Sequence, residues 1–417
     1  MRKFRINQRW IDDILVLLML CISGNPAFVQ TRPFGKLIYG LMLILLLIVS
    51  RFRIKVKTLK QSAFWLALLF VIFTAQYMTL GQITILGSLN FTAKLLCAIL
   101  LTSYLGDRLP KTAIRVMSGV CVVSLVFYLI NLTGIRFTSP LDLKMKVEPL
   151  IVYTQSYDDP LDPFFRNSGM FWEPGAFAGY ILATLLLFID HPKQLWTDFK
   201  WQSVILIVSL LTTASTTGYI TFAVLLLFVI LKWGAKGYAK YLVYLIAVLL
   251  IVGSVIAFNK LEFLGQKIQR ELLLTERQTD SDVNLSRSGS IIFDMQYIIS
   301  HPVFGNGLSG LTRFRFHLGV YDEEDLEGFG NGFSGCIASM GLLFMLTYLI
   351  SIGLNKTLGA KWMVILIVIL LLQGEYYLNY PWFMMFPFIQ FGKEREKKPR
   401  RKLKIVWSKA ARNELPS

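Results

Sequence analysis

Residues 87–131 read GSLNFTAKLLCAILLTSYLGDRLPKTAIRVMSGVCVVSLVFYLIN, which is two apolar runs joined by a short basic connection. Each run is close to the ~20 residues that an α-helix needs to cross the hydrocarbon core of a bilayer. The connection contains Arg108, Lys111 and Arg115, and basic residues are concentrated in the cytoplasmic loops of membrane proteins. The stretch therefore predicts two transmembrane helices that are joined on the cytoplasmic side.

The same pattern extends over most of the chain. Of its 417 residues, 54% are hydrophobic and 17% are charged, and the mean hydropathy is +0.55, which excludes an ordinary soluble enzyme. We expect an all-α polytopic membrane protein, with residues 1–417 in a single integral membrane domain. Apolar windows predict about twelve transmembrane helices. They are placed at residues 11–29, 34–50, 62–80, 87–106, 114–131, 169–190, 201–215, 217–232, 239–258, 331–354, 361–374 and 377–392.

The basic residues indicate the orientation of these spans. Their clusters lie on alternate connections and in the basic tail at residues 393–417, so twelve spans put every cluster on one side. The positive-inside rule then places both termini in the cytoplasm, and it accounts for the net charge of +17 without nucleic-acid binding. The N-terminus could instead be a signal peptide, but Asp12 and Asp13 open its apolar run and Gly24-Asn25-Pro26 is a poor cleavage site.

Two long segments, residues 132–168 and 259–330, remain for the outer side, and they contain most of the acidic residues. Apolar residues at helical spacing predict short helices near residues 261–272 and 291–299, each too short to span and therefore expected at the membrane interface. The acidic run at residues 322–325 is expected to be a solvated linker. This distribution suggests that the chemistry takes place outside the cytoplasm.

The most unusual segment, residues 166–180, reads RNSGMFWEPGAFAGY. Pro174 suits the first position of a helix, which makes Glu173 the predicted N-cap, with its carboxylate at the positive end of the helix dipole. Arg166 lies close enough in sequence to pair with Glu173 or to share a ligand with it. An ionisable group at membrane depth is a functional hypothesis. The alternative is a structural helix cap with a paired arginine.

Two other stretches could bind an anion. Arg287 lies among serines and a glycine before a predicted helix, where free backbone N–H groups and a guanidinium fork suit a phosphate. In the stretch 313–317, an extended backbone would point Arg313, Arg315 and His317 one way and the two phenylalanines the other. The alternative for the second stretch is a loop with its apolar face on the membrane.

No metal or cofactor is expected. The four cysteines are scattered through apolar stretches without a CxxC pair, and of the three histidines His191 is expected on the cytoplasmic side, which leaves too few on the outer side for an all-histidine metal site. The sequence also lacks GxSxG, Walker A and GxGxxG motifs, so nucleotide-driven chemistry is not predicted.

Together these motifs resemble the Wzy-type O-antigen polymerases, which share a superfamily with the O-antigen ligases. The resemblance runs from about Arg166 to Leu349 and rests on four elements in order. These are Arg166 followed by Gly-x-x-x-Glu-Pro-Gly, Thr216-Thr217-Gly218-Tyr219, Arg287 followed by His-Pro-x-x-Gly-x-Gly from His301, and Asn331-Gly332-Phe333 before a span that contains Gly341. Family members often have Ser-Arg at Thr216-Thr217 and His-Asn at Gly330-Asn331. The ligases use a histidine near the latter position, so its absence favours a polymerase.

The resemblance implies an enzyme of the inner membrane that uses undecaprenyl-diphosphate-linked oligosaccharides, with membrane lipid and a chain-length regulator protein as further partners. Glu173 is the first candidate for the general base, and His301 is the second. The implied diphosphate- and glycan-binding residues are Arg166, Arg287, Arg313, Arg315, His317 and Asn331. Alternatives are a ligase, a lipid-linked oligosaccharide flippase and a non-catalytic scaffold. The flippase is disfavoured because the spans are nearly free of charge and no repeat is visible.

Overall fold

The structure is a computed structural model that describes residues 7–29, 34–137, 147–156, 165–233, 287–317 and 331–390. This part of the chain is mostly helical. Three helical stretches in it are long and apolar enough to cross a membrane: Val56–Leu80, Ile85–Leu132 and Gly332–Gly353. The predicted span at 239–258, the predicted helix near 261–272, the acidic run at 322–325 and the basic tail at 393–417 lie outside the described residues.

The N-terminal part consists of α1 (Gln8–Gly24), α2 (Pro26–Val29), α3 (Phe34–Val49), α4 (Val56–Leu80), α5 (Ile85–Leu105) and α6 (Leu109–Leu132). The C-terminal part consists of α7 (Pro174–Leu186), α8 (Lys193–Thr197), α9 (Lys200–Thr212), α10 (Thr216–Trp233), α11 (Arg287–Ser300), α12 (Gly310–Arg313), α13 (Gly332–Gly353), α14 (Lys361–Leu372) and α15 (Pro381–Met384).

Several predicted spans agree with these helices to within a few residues, but others are interrupted. The first breaks at Asn25, since Pro26 cannot donate a backbone hydrogen bond to continue α1. The prediction of one span over residues 377–392 is wrong. This segment consists of a 3-10 turn at Tyr377–Asn379, α15, and a 3-10 turn at Phe386–Phe388, and prolines stand at positions 381 and 387.

Ion pairs join the helix ends that carry basic clusters in the sequence. The buried carboxylate of Asp12 pairs with Arg108, and Asp13 pairs with Arg115 at 2.6 Å, so α1 and α6 begin at the same end of the helix bundle. Asp190 pairs with Lys232 at 3.0 Å and accepts the backbone N–H groups of residues 359 and 360, at the start of α14. We call this end of the bundle the inner end and the opposite end the outer end.

The first long outer segment is only partly described, and it is not purely helical. Strands β1 (Val147–Pro149) and β2 (Thr154–Ser156) form an antiparallel hairpin in which Glu148 is opposite Gln155. Tyr153 stacks on Phe127 of α6 with 5.4 Å between the ring centroids, and its hydroxyl accepts a hydrogen bond from Asn131 at 3.1 Å. The all-α expectation therefore needs one correction, a small hairpin that packs on the outer end of α6.

Helix α13 contains a break. At Gly341 the backbone has φ 80° and ψ 168°, and residues 302–307, which we call the wedge, fill the gap. A Cβ atom at Gly341 would lie 2.1 Å from the carbonyl oxygen of Val303, so only glycine fits there. Backbone hydrogen bonds join the wedge to both halves of α13, from Leu342 N to Pro302 O (2.8 Å) and from Gly307 N to Ser339 O (3.0 Å).

Gln76 of α4 holds the wedge in place. Its side-chain amide donates to the carbonyl oxygens of Phe304 at 2.6 Å and Ser339 at 3.0 Å. The glutamine is buried, and its amide satisfies carbonyl groups of the wedge and of the break in α13. The predicted His-Pro-x-x-Gly-x-Gly element is thus a packed part of the outer end.

Candidate functional site

Glu173 lies at the outer end, immediately before α7. Its backbone is extended (φ −156°, ψ 163°) and Pro174 is the first helical residue, which confirms the predicted N-cap position. The half-buried side chain makes no capping hydrogen bond. Among the described residues its carboxylate has neither a hydrogen-bond nor an ion-pair partner. The residue therefore occupies the N-cap position, but its carboxylate does not cap the helix.

Two residues, Gly175 and Ser215, lie close to this carboxylate. A Cβ atom at Gly175 would lie 2.5 Å from Oε1 of Glu173 and 3.8 Å from the hydroxyl of Ser215, so the glycine lets the carboxylate fold over the first turn of α7. Ser215 accepts the backbone N–H of Gly218 at 3.2 Å and thereby caps α10. The carboxylate therefore faces the corner at residues 213–215, which joins α9 to α10.

Arg166 reaches the same corner, where its Nε donates to the carbonyl oxygen of Thr213 at 3.2 Å. The next residue, Asn167, is buried and anchors the chain, since its amide donates to the Thr212 hydroxyl at 2.9 Å and its oxygen accepts from Ser124 at 2.6 Å. No ion pair joins Arg166 to Glu173 in the described part of the chain. The two charges are brought to one corner without neutralising each other.

The connection between α14 and α15, residues 373–380, covers this region and was not predicted as part of a site. Glu375 accepts a hydrogen bond from the Trp172 indole at 3.2 Å, and Tyr380 stacks on Trp172 with 4.9 Å between centroids. The hydroxyl of Tyr377 donates to the carbonyl oxygen of Gly175 at 2.8 Å. These contacts hold both residues that flank the Glu173-Pro174 pair.

Lys94 contradicts the expectation that the spans are nearly free of charge within the bundle. It lies midway along α5 with 7% of its surface exposed, and its ammonium donates to Asn379 at 2.9 Å. The ammonium also lies 4.9 Å from the ring centroid of Tyr39 and 5.8 Å from that of Tyr380. A lone lysine inside the apolar run 87–106 is a signal that sequence reasoning could have used.

Arg313 has a different environment from the predicted one. Residues 310–317 form α12 and a 3-10 turn, so the extended alternation proposed for residues 313–317 is wrong. The guanidinium is buried in an ion pair with Asp294 of α11, and Ser334 donates to the second carboxylate oxygen at 2.6 Å. Burial raises the pKa of Asp294, while Arg313 and the Ser334 hydroxyl oppose the shift. This pair fastens α11 and α12 to α13.

Asn331 acts as the N-cap of α13. Its side-chain oxygen accepts the backbone N–H groups of Phe333 at 3.1 Å and Ser334 at 3.0 Å, and its amide donates to Gln373 at 3.0 Å. The position predicted to bind substrate therefore supports the helix that carries Ser334 and also positions the 373–380 connection.

His301 and Arg315 lie beside the wedge. The Nδ1 atom of His301 is 3.2 Å from each of three groups, the Ser300 hydroxyl, the side-chain oxygen of Asn306 and Nη2 of Arg315. Partial burial lowers the pKa of His301, and the charge of Arg315 lowers it further, so the ring is neutral at pH 7. The Nε atom of Arg315 is buried and has no hydrogen-bond partner within the described residues.

The remaining site predictions have only partial structural accounts. Arg287 begins α11, which confirms the predicted helix near residues 291–299, but its side chain and that of His317 lie outside the described residues. Gly305 and Gly307 have φ values of 75° and 86°, as the wedge requires, so packing explains them without an anion. No group of three or more metal-ligating side chains is found in the described ranges.

The predicted residues form two groups that the 373–380 connection bridges. Glu173 and Arg166 lie at the corner of α7, α9 and α10, whereas His301, Arg313, Arg315 and Asn331 surround the outer ends of α11 and α13. Comparison of the chain with protein-family models, curated proteins and solved structures gives no match. The function is therefore inferred from the residues of the site and their geometry.

Proposed function

We propose that the chain is a Wzy-type polymerase of a surface polysaccharide, acting on undecaprenyl-diphosphate-linked glycans at the outer face of the cytoplasmic membrane. One observation carries the proposal. The Glu173 carboxylate lies over the first turn of α7 but has no protein partner among the described residues, and Arg166 is bonded at the same corner. A carboxylate without a protein partner can remove a proton, and a guanidinium at the same corner can stabilise an anionic leaving group.

The proposed transfer needs one base and one anion-binding group. The acceptor hydroxyl loses its proton to Glu173, and its oxygen attacks the anomeric carbon of the donor glycan. The bond from that carbon to the diphosphate breaks, and the diphosphate leaves with the electron pair. Arg166 is placed to stabilise this leaving group, and it stays charged throughout because guanidinium does not titrate in proteins. His301 is the second candidate for the base, because its ring is neutral and its Nε2 has no hydrogen-bond partner among the described residues.

The remaining arginines have unequal roles in this scheme. Both Arg313 and Arg315 keep a buried nitrogen without a partner in the described residues, but Arg313 is also paired with Asp294, so Arg315 is the better placed of the two to bind a phosphate oxygen. Arg287 remains a proposed diphosphate anchor because it begins a helix at the outer end.

The proposed topology has twelve crossings of the membrane, of which the last is the interrupted segment at residues 377–390, and both termini are in the cytoplasm. It is supported by the ion pairs that join basic residues at the start of α6 and the end of α10 to acidic partners, Asp12 and Asp13 of α1 and Asp190. Single cysteines introduced at Asp158 and Asp280 should react with an impermeant thiol reagent in intact cells, and one at Lys398 should not. Labelling at Lys398 would contradict the topology.

The function can be tested by deleting the protein and separating the surface polysaccharide on a gel. Single repeat units on the acceptor are expected for loss of a polymerase. Free long chains would instead identify a ligase, and accumulation of lipid-linked units on the inner leaflet would identify a flippase. Purified protein with lipid-linked repeat units should then form a ladder of longer chains without added nucleotide or metal.

Two observations favour a flippase as the second candidate. Transporters often carry charged groups and discontinuous helices within the membrane, and the chain has Lys94 in α5 and the break at Gly341 in α13. Against this, the wedge fills the break and Asn379 binds the lysine. A flippase would translocate a fluorescent lipid-linked oligosaccharide in liposomes without lengthening it, and this assay separates the two functions.

A further inference from the structure

Lys94 is a buried cation that no carboxylate of the described residues neutralises. The buried Arg313, by comparison, is paired with Asp294. The ammonium of Lys94 instead donates to the side-chain oxygen of Asn379 at 2.9 Å. An unpaired charge among packed helices costs stability, and an ionisable group at membrane depth is a functional hypothesis. The charge therefore requires an explanation beyond packing.

The contact between Lys94 and Asn379 lies well inside the bundle. Lys94 is about 14 Å along the axis of α5 from the start of that helix. The 373–380 connection reaches this depth through its 3-10 turn, Tyr377–Asn379. A polar side chain among membrane helices needs a protein partner, but Gln76 meets the same need at the wedge with a neutral amide. An acceptor on the connection therefore does not by itself require a cation.

The turn that the ammonium holds contacts the chain on both sides of Glu173. The hydroxyl of Tyr377 donates to the carbonyl oxygen of Gly175 at 2.8 Å, in the first turn of α7. Tyr380 stacks on Trp172, the residue before Glu173, with 4.9 Å between the ring centroids. The ammonium also lies 5.8 Å from the centroid of this Tyr380 ring. A shift of the turn would therefore move Glu173.

The other side of the ammonium is supported by α3. Its nitrogen lies 4.9 Å from the ring centroid of Tyr39, and a cation is attracted to the face of an aromatic ring. The hydroxyl of Tyr39 donates to the carbonyl oxygen of Ile22 in α1 at 2.8 Å. The ammonium is therefore fixed relative to the N-terminal helices, and it connects these helices to the turn beside Glu173.

We propose that Lys94 is a positioning residue for the Glu173 base and acts through Asn379 and the 373–380 connection. The inference rests on the proposed function and adds a residue to its site. A base must lie within about 3 Å of the proton that it removes, and a misplacement of about 1 Å can slow a reaction about 10²-fold. A charged donor holds its acceptor more strongly than a neutral one does. Helices α1 to α6 thereby contribute to the site, although they contain none of its proposed catalytic or substrate-binding residues.

The first test is the kinetics of Lys94→Met in the purified full chain in lipid nanodiscs. The substitution keeps an unbranched side chain of similar length but removes the charge and the bond to Asn379. The kcat for glycan lengthening should fall about 10–100-fold, while the KM for the lipid-linked repeat unit should change less than about twofold. A raised KM with an unchanged kcat would overturn the proposal, because Lys94 would then support binding of the substrate. If Lys94→Met does not fold, Lys94→Gln serves in its place.

Two substitutions of Asn379 test the route. Asn379→Leu should slow the reaction as Lys94→Met does, and the double variant should be no slower than the slower single variant, because both remove one interaction. Asn379→Asp keeps an acceptor for the ammonium, and its kcat should stay within about threefold of the wild type. Effects of Lys94→Met and Asn379→Leu that multiply would overturn the route through Asn379.

Hydrogen exchange measures the position of the connection without reference to the reaction. In Lys94→Met, amides of residues 375–380 and of the first turn of α7 should exchange several-fold faster than in the wild type. Thr58→Val is the matched control, since it removes another polar contact of α5, the 2.6 Å contact between the hydroxyls of Thr58 and Ser103. It should leave both the exchange of these amides and kcat unchanged.

The outcomes separate the role of Lys94 from the proposed function. A normal kcat in well-folded Lys94→Met protein would overturn the positioning role alone. A slower reaction with unchanged exchange at residues 375–380 would overturn it as well, and so would an equal loss of kcat in Thr58→Val. If the wild-type chain forms no polymer, the polymerase is wrong, whereas faster exchange in Lys94→Met would still support Lys94 as the residue that positions the connection.

Discussion

The outer end of the molecule contains two combinations of a carboxylate and an arginine that the structure treats in opposite ways. Asp294 and Arg313 are buried and bonded to each other, with Ser334 on the second carboxylate oxygen. Glu173 and Arg166 lie at a common corner, yet no ion pair joins them in the described residues, and the carboxylate is uncommitted. The first combination holds helices together, whereas the carboxylate of the second has no protein partner in the described part of the chain.

The difference follows from how deeply each carboxylate is buried. Helix α11 packs on α13, and a charge enclosed between two helices has to be paired and hydrogen-bonded, because an isolated buried charge is very costly. The carboxylate of Glu173 lies over the first turn of α7 and is only half-buried, so water or a ligand can reach it. Similar residue types therefore pair to pack helices in one place, and in the other they leave a carboxylate that a ligand can reach.

The substitution Glu173→Gln tests most directly whether the Glu173 carboxylate has a catalytic role that the Asp294 carboxylate lacks. If Glu173 removes the acceptor proton, the variant should fold normally and lengthen glycans roughly 10²–10⁴-fold more slowly. Because its carboxylate makes no capping bond, the melting temperature should stay within experimental error of the wild type. Chain length on a gel and the thermal transition of the purified protein measure the two effects.

The double variant Glu173→Gln with Arg166→Gln is the control for pairing. If the two residues only neutralise each other, the second change should restore activity, whereas loss of a base is not restored. Near-normal polymer from well-folded Glu173→Gln protein would remove Glu173 from the mechanism and make His301 the first candidate for the base.

The converse prediction concerns Arg313→Met. It leaves Asp294 buried without its charge partner and should cost about 3–5 kcal/mol of stability. The double variant with Asp294→Asn should recover part of that loss, because no uncompensated charge remains. Urea unfolding in detergent measures the difference. If the variant keeps full stability and loses only activity, Arg313 binds substrate instead of supporting the fold.

Gln76→Leu tests whether the wedge depends on the amide of α4. The carbonyl oxygen of Phe304 loses its side-chain donor, and an unsatisfied buried acceptor costs about 1–3 kcal/mol. Gln61→Leu in the same helix is the matched control, since the buried Oε1 of Gln61 has no hydrogen-bond partner in the described residues. Equal loss of stability in both variants would show that Gln76 contributes only through its packing.

The smallest expected effect is the pH dependence contributed by His301. Its pKa in the folded chain lies below the ordinary 6.5, so the unfolded chain takes up the proton more readily. The stabilisation is therefore complete above pH 6.5 and is lost as the pH falls toward the folded pKa. His301→Gln should flatten this part of the curve of melting temperature against pH. A variant with the wild-type slope would assign the dependence to another group.

Features that depend on neighbours in sequence were predictable. The start of α7 at Pro174, with Glu173 as the N-cap residue, follows from the fixed φ of proline, and the short helix before His301 follows from its apolar spacing. The prediction of an extended segment from Arg313 to His317 failed because residues that alternate over five positions also fit a helical turn followed by a 3-10 turn.

Features that depend on residues distant in sequence were not predictable. Lys94 and Asn379 are 285 positions apart, and no local pattern indicates that one binds the other. The glycines of the wedge are explained by contact with the break at Gly341, which no local pattern indicates. The side chain of Glu173 was expected to cap its helix, but whether a carboxylate uses its acceptors depends on the tertiary position of its neighbours.

The wedge also limits how this protein can change during evolution. Its backbone is bonded on both sides of the break in α13, so adding or deleting one residue between Pro302 and Gly307 would shift the chain out of register. Gly305 and Gly341 must also be retained together, because a Cβ atom on either would collide with backbone of the other segment. Divergent homologues are therefore expected to keep this spacing and these glycines after their apolar helices have lost recognisable identity.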